Sequence, residues 1–131
     1  MLSKKQKIFF NWFAVVLWLG VIYYFSDQPN LKSEFKPLWD LVFRKIAHMA
    51  EYFVLAALFF RALREHGLSF IKTLIVVILL TILSSGLDEW HQTFITGRQG
   101  KFFDTLIDNI GALTFIFLKL IYRRHEKDLP Y

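Results

Sequence analysis

Long apolar runs alternate with short polar segments along the chain. The first run covers residues 8–25 and is interrupted only by Asn11 and Gly20. As a helix, a run of this length rises about 27 Å, close to the roughly 30 Å hydrocarbon core of a bilayer. Three similar runs follow, so the pattern predicts membrane-spanning helices at approximately residues 8–25, 46–62, 70–88 and 103–122. We therefore expect residues 1–131 to form a single all-α domain, an integral membrane four-helix bundle.

Composition favours a membrane bundle over a soluble one. Hydrophobic residues make up 55% of the chain and aromatic residues 18%, and the mean hydropathy is +0.38. Four apolar runs in so short a chain leave too little polar surface to cover a soluble bundle. The absence of cysteine excludes disulfides, thiolate catalysis and cysteine-bound metal centres. The first run is too long for a cleaved signal peptide and lacks the small-residue cleavage pattern, so we expect an uncleaved span.

Basic residues flank the apolar runs and divide unequally between the two predicted sides of the membrane. Of the 16 Lys and Arg residues, about ten belong to the side that holds both termini and the loop between the second and third helices. By the positive-inside rule both termini are cytoplasmic, and residues 26–45 and 88–102 form loops on the outer side. The net charge is +5. Basic flanks of this kind suit anionic lipid head groups, so we expect the lipid bilayer, and no nucleic acid, as a partner.

Polar residues enter three of the four predicted helices at the same, outer end. Arg44, His48 and Glu51 are spaced i, i+4 and i+7, which places them on one helical face. Ionisable side chains at membrane depth are costly, so they usually face the bundle interior, pair with one another and mark function. Gly111 on the fourth helix permits close backbone approach. The residues predicted to meet at this end are Arg44, Lys45, His48, Glu51 and Tyr52 on the second helix, Asp88, Glu89 and Gln92 on the third, Arg98 in the following loop, and Asp104 and Asp108 on the fourth.

Five short motifs carry a resemblance to a known family. They are residues 25–29 (FSDQP), 44–52 (RKIAHMAEY), 88–94 (DEWHQTF), 97–100 (GRQG) and the spaced set Asp104, Asp108, Gly111 and Ala112. In this order, over residues 10–122, they resemble the VanZ-like family of small bacterial membrane proteins, named after a member linked to resistance to the glycopeptide antibiotic teicoplanin. The resemblance implies a multi-pass protein of the bacterial cytoplasmic membrane with a role in cell-envelope physiology or antibiotic resistance. It brings no settled reaction, and Phe115 stands where relatives usually have a glycine.

The first functional hypothesis is an outward-facing site for a polar head group. Arg44, Lys45 and Arg98 would engage a phosphate or carboxylate of an outer-leaflet lipid or a wall precursor. His48 and Glu89 are the candidate acid–base pair, because burial can bring either side chain near a neutral pKa. The remaining candidates are Asp104 as a third catalytic residue, and Glu51, Tyr52, Asp88, Gln92 and Asp108 as ligand-binding residues.

Two alternatives to this hypothesis stay open. The side chains of His48, Glu51, Glu89, His91, Asp104 and Asp108 offer ligands for a divalent metal ion. No HExxH or similar spaced signature accompanies them, so the first expectation is a site without metal or other cofactor. The second alternative is a non-catalytic interaction module whose polar residues fix helix register or recruit an envelope enzyme. Separately, Ser84, Ser85 and Gly86 would permit tight helix packing. The ligand, the choice between catalysis and binding, and the oligomeric state stay open.

Overall fold

The chain forms long helices. The structure is a computed structural model that describes residues 2–27, 37–95 and 102–128, with side chains described except at 37, 40, 41, 102–104 and 125–128. The helices in these described ranges are α1 (Lys4–Ser26), α2 (Pro37–Arg64), α3 (Phe70–Gln92) and α4 (Phe102–Asp128). Each predicted span lies inside one of them, so the all-α prediction with four long apolar helices is confirmed.

Local sequence signals explain several helix boundaries. Ser3 and Gln6 form a reciprocal capping box at the start of α1, in which each side chain accepts a hydrogen bond from the other residue's backbone N–H. The connection from α2 to α3 covers only residues 65–69. Gly67 has a φ of +77° there, a left-handed conformation that glycine adopts without steric cost. This short turn places α2 and α3 side by side and antiparallel.

Helix α2 begins earlier than the sequence pattern predicts. Residues 26–45 were expected to form an outer loop, but the helix starts at Pro37, and the loop prediction is wrong for residues 37–45. Proline fits the first turn of a helix because its missing N–H would have no intrahelical partner there. No helix-breaking residue follows before the apolar run, so the helix continues through residues 38–43. Arg44 and Lys45 therefore lie on α2, in agreement with the helical spacing of Arg44, His48 and Glu51 and not with the expected loop bounds.

Helix α2 is central to the bundle: it contacts all three other helices and packs most extensively against α4. The closest approach is at Gly111, where an added Cβ would overlap the carbonyl oxygen of Met49 and lie 2.8 Å from its carbonyl carbon. The predicted close backbone approach at Gly111 is therefore confirmed. Farther along α4, Phe115 makes edge-to-face contacts with Phe53 and Phe60, at centroid distances of 5.6 and 5.8 Å.

The outside of the bundle is apolar. All four helices are long and apolar enough to cross a membrane, and at most a third of each apolar window is buried inside the bundle. Large side chains such as Val16, Leu79 and Phe117 are more than half exposed on the outer faces of three different helices. Water would contact an unusually large apolar area here, whereas a bilayer covers it. The protein is therefore a multi-pass membrane protein.

Candidate functional site

The buried acidic residues of the described chain collect at one end of the bundle, which we call the site end. Here α1 and α3 end, and the first halves of α2 and α4 lie beside them. The opposite end, which holds the start of α1, the α2–α3 turn and the end of α4, is the terminal end. Three sequence-predicted residues at the site end, Asp88, Glu89 and Asp108, are each at most 7% exposed. Burial of carboxylates at this depth is costly unless they interact with neighbouring groups.

The centre of the site end is a cluster of His48, Asp88 and Asp108, contributed by α2, α3 and α4. One ligand atom from each residue lies within 4.8 Å of the other two. The imidazole Nδ1 of His48 is 3.7 Å from Asp108 Oδ1 and 3.5 Å from Glu51 Oε2. These distances allow ion pairing when His48 is protonated. Three of the residues that were predicted to meet at this end, one from each of three helices, therefore lie together.

Tyr52 lies at the bottom of this cluster, one helical turn deeper than His48. Its side chain is fully buried, and its hydroxyl has no hydrogen-bond partner among the residues that the structure describes. The carboxylates of Asp88, Asp108, Glu51 and Glu89 are all close enough to act electrostatically on this hydroxyl. A buried hydroxyl without a partner costs about 1–3 kcal/mol, so the group is suited to hydrogen bonding with a ligand.

Further polar contacts hold the cluster in place. Gln92 Nε2 donates a 3.1 Å hydrogen bond to Asp88 Oδ2, one turn apart on α3. Asn109 Nδ2 donates to Ser85 Oγ at 2.8 Å, which links α4 to α3 next to the cluster. Ser85 is fully buried, as its predicted role in helix packing requires. Gly86 is different: a Cβ there would meet nothing within 4 Å, so the predicted tight packing at this glycine is wrong.

Helix α1 contributes contacts that the sequence reasoning missed. Asp27 Oδ1 is 3.3 Å from His91 Nε2, and the Tyr23 ring lies 4.4 Å from the His91 ring, so both residues connect α1 to the end of α3. Trp18 Nε1 donates a 2.9 Å hydrogen bond to the backbone carbonyl of Glu51 on α2. For Asp27 the available signal was the motif at residues 25–29, which carried the resemblance but received no role in the site. Tyr23 and Trp18 lie outside that motif.

The predicted basic residues are placed only in part. Arg44 and Lys45 are half-buried on α2, and Arg44 precedes His48 by one helical turn. Arg98 lies outside the described residues, and so does the side chain of Asp104, although its backbone belongs to α4. The predicted participation of these two side chains stays a prediction.

An apolar cavity of about 370 Å³ between α1 and α3 reaches the cluster from the side. Its walls include Leu19 and Ile22 of α1 and Leu87 of α3, and Tyr52 and Asp88 also line it. The cavity therefore joins two environments, an apolar wall at membrane depth and the buried polar cluster. Periodicity within single helices does not reveal such a cavity, because its walls come from separate spans.

The family model described as VanZ/LLP1 matches residues 8–123. The chain belongs to the VanZ/LLP1 family. No curated protein and no solved structure matches it. The match covers all four apolar helices and confirms the resemblance drawn from the five motifs. In this VanZ/LLP1 protein, the motif segments that the structure describes come together at the site end, although they are distant in the sequence.

The arrangement at the site end allows two kinds of chemistry in this VanZ/LLP1 protein. A histidine beside carboxylates can accept or donate a proton, with the carboxylate orienting the ring. One imidazole nitrogen and two carboxylate oxygens, mutually within 4.8 Å, can also surround a divalent cation.

Proposed function

We propose that this VanZ/LLP1 protein binds the polar head group of an amphiphile, either an anionic lipid or a lipid-linked cell-wall precursor. The observation that carries the proposal is the lateral cavity, in which apolar walls lead to the buried Tyr52 and Asp88. A cavity of about 370 Å³ falls in the usual size range of ligand sites. An apolar chain between α1 and α3 would leave the head group at the cluster of His48, Asp88 and Asp108.

Different parts of the head group would contact residues of complementary charge. The carboxylates of the cluster would accept hydrogen bonds from hydroxyl or ammonium groups. A phosphate or carboxylate of the ligand requires cations, which Arg44, Lys45 and Arg98 would supply. Arginine suits this role because its guanidinium can bind two oxygens at once.

The site would also catalyse a reaction of the bound ligand, which is a proposal in addition to binding. His48 would act as the acid–base residue, and Asp108, 3.7 Å from its Nδ1, would orient the ring. Glu89 is the candidate second acid, because it is buried at the site end next to Asp88. Asp104 completes the catalytic set predicted from the sequence. A substrate-dependent reaction that is lost in Glu89→Gln, with ligand binding retained, would distinguish catalysis from binding alone.

Lipids that copurify with the protein test the binding proposal. The full chain is purified in mild detergent, and bound lipids are identified by mass spectrometry. His48→Ala and Asp108→Asn should lose the retained amphiphile, whereas Asp27→Asn, a carboxylate change outside the cluster at a 53% exposed side chain, should keep it. Equal retention in wild type and both cluster variants would disprove the proposal. Loss of stability in the cluster variants without any ligand in wild type would instead favour the non-catalytic interaction module.

We further propose that the site end faces the outside of the bacterial cytoplasmic membrane and that both termini are cytoplasmic. The unequal distribution of Lys and Arg supports this orientation. Because the chain lacks cysteine, single introduced cysteines report the side directly. In intact cells, a membrane-impermeant maleimide should label Lys101→Cys and should label Lys5→Cys only after permeabilisation. The opposite labelling would reverse the proposed orientation. A role in teicoplanin tolerance is proposed from the family alone and is tested by deletion and complementation.

A divalent cation is the second candidate ligand of the site. The specific observation is the mutual approach, within 4.8 Å, of ligand atoms from His48, Asp88 and Asp108. Donor atoms around a small divalent ion lie about 2.0–2.6 Å from it, so two donors of one site can be up to about 5 Å apart. A mutual separation within 4.8 Å is compatible with this limit. Chelator-washed protein, reloaded and analysed for metal, should bind one ion per chain, and Asp108→Asn should bind far less. Asp27→Asn is the matched control, and equal metal content in all three proteins would exclude the ion.

A further inference from the structure

A second cavity lies at the terminal end, on the opposite side of the bundle from the polar cluster. It has a volume of about 420 Å³ and lies between α1, α2 and α4. Three cations line it: Arg61, Arg64 and Lys119. Glu65 is the carboxylate among its lining residues, and the rings of Phe60 and Phe115 form apolar wall. The lining therefore carries an excess of positive charge where a membrane-spanning bundle meets the head-group region.

These three cations retain the capacity to bind an anion. Arg61 donates one hydrogen bond of 3.0 Å to Asn11 Oδ1, and Arg64 donates one of 2.7 Å to the carbonyl of Leu68. Lys119 Nζ lies 5.2 Å from the centroid of the Phe60 ring. Among the described residues, none of the three cations forms an ion pair with a carboxylate. Each guanidinium carries five N–H donors, so several donors remain for a phosphate.

An apolar groove continues from this cavity along α2 and α4. The groove has a volume of about 520 Å³ and is lined by Phe53, Leu118 and Tyr122 together with Phe115 and Lys119. Phe115 and Lys119 line both spaces, so the basic cavity and the apolar groove are adjacent. The basic cavity and the apolar groove together complement a phospholipid. Cations lie at the membrane edge, where the phosphate would be, and apolar surface extends from there toward the middle of the spans, where an acyl chain would be.

We propose that the terminal end binds one anionic phospholipid. Its phosphate contacts Arg61, Arg64 and Lys119, and one acyl chain lies in the groove beside Phe115 and Leu118. Basic pockets between spanning helices suit anionic head groups in this way. A free phosphate ion would use only the basic cavity, whereas a phospholipid accounts for both adjoining spaces. The site is separate from the polar cluster, and its occupancy does not depend on the function proposed for the site end.

Lipid titration of the purified full-length protein tests the head-group part. Native mass spectrometry in detergent measures binding of phosphatidylglycerol and of phosphatidylcholine, which has no net charge. Each cation removed should weaken phosphatidylglycerol binding about fivefold, so Arg61→Gln with Arg64→Gln should weaken it about 25-fold. The matched control is Lys72→Gln with Arg124→Gln, which removes the same charge from exposed positions at the same end but outside both cavities. Its affinity should stay close to wild type.

A second pair of variants tests the acyl-chain part. Leu118→Gln changes the groove, whereas Leu120→Gln changes a similarly exposed leucine that does not line it. Only Leu118→Gln should weaken phosphatidylglycerol binding, and excess inorganic phosphate should not displace the lipid. Displacement by phosphate, or equal weakening by both leucine changes, would overturn the phospholipid proposal.

Folding controls keep the test decisive. Arg61→Lys with Arg64→Lys retains the charge and should bind phosphatidylglycerol more tightly than the glutamine pair. If the glutamine pair cannot be purified, Lys119→Gln is compared with Arg124→Gln in the same titration. Equal weakening by the cavity and control variants would mean that general surface charge, and not this cavity, attracts the lipid.

Discussion

Replacement of Tyr52 by phenylalanine separates stability from ligand binding at the site end. The change removes one hydroxyl and keeps the buried ring. Because this hydroxyl has no hydrogen-bond partner among the described residues, its burial is uncompensated within that part of the protein. The corresponding cost is about 1–3 kcal/mol, so Tyr52→Phe should raise the free energy of unfolding by about that amount in the absence of ligand.

The same substitution should weaken ligand binding. A hydrogen bond between the hydroxyl and a head group contributes about 0.5–1.5 kcal/mol, which corresponds to a roughly two- to tenfold loss of affinity. The substitution should thus raise the free energy of unfolding and lower the ligand affinity. Such opposite effects are expected when a side chain is kept for function at the expense of stability. If Tyr52 had only a structural role, Tyr52→Phe would lower both stability and ligand affinity or would change neither.

The assay compares Tyr52→Phe with Tyr24→Phe, which makes the same chemical change at an exposed tyrosine of α1. Unfolding is followed by circular dichroism in detergent, and binding is measured with the amphiphile identified in the purified protein. If Tyr52→Phe is less stable than the Tyr24→Phe control by about 1 kcal/mol or more, the hydroxyl must be hydrogen-bonded within the protein. Unchanged affinity would show that the hydroxyl does not contact the ligand.

The remaining predictions concern packing and one interhelical hydrogen bond. Gly111→Ala should destabilise the bundle by about 1–3 kcal/mol in a detergent unfolding titration, because its Cβ overlaps the Met49 backbone. Gly86→Ala, whose Cβ meets nothing, should be neutral or slightly stabilising, and equal effects of the two changes would contradict the predicted contact. Trp18→Phe should cost about 1 kcal/mol in the same titration because it removes the hydrogen bond to the Glu51 carbonyl. Trp39→Phe at an exposed ring is its control, and an unchanged stability of Trp18→Phe would refute the bond.

Sequence patterns predict the helices well because the membrane imposes a length and a polarity on each span. The start of α2 was missed because no capping motif marks a helix start before residues 38–43, and Pro37 is compatible with both a loop and the first turn of a helix. The proximity of His48, Asp88 and Asp108 could be predicted because three helices bring ionisable groups to the same depth. At that depth, facing the lipid would be more costly for these groups than facing one another.

Other features depend on how the helices are arranged and cannot be derived from single-helix patterns. Gln92 donates a hydrogen bond to Asp88, but Glu89 lies on the same turn, and sequence spacing does not show which of the two carboxylates accepts it. Both cavities also depend on helix arrangement. Arg61 and Lys119 lie on different helices, so the spacing of charges within either one does not reveal that they line the same space.

The close approach of α2 and α4 connects the packing of the bundle to its chemistry. Met49, whose backbone meets Gly111, directly follows His48, and Gly111 lies three residues after Asp108. Gly111, which permits the backbone contact, is therefore one turn from Asp108, whose Oδ1 lies 3.7 Å from His48 Nδ1. A side chain at position 111 would separate the two backbones at the level of the cluster, and a wider separation would lengthen the His48–Asp108 contact. Gly111→Ala should consequently weaken ligand binding as well as stability, whereas Gly86→Ala should weaken neither, because position 86 faces open space.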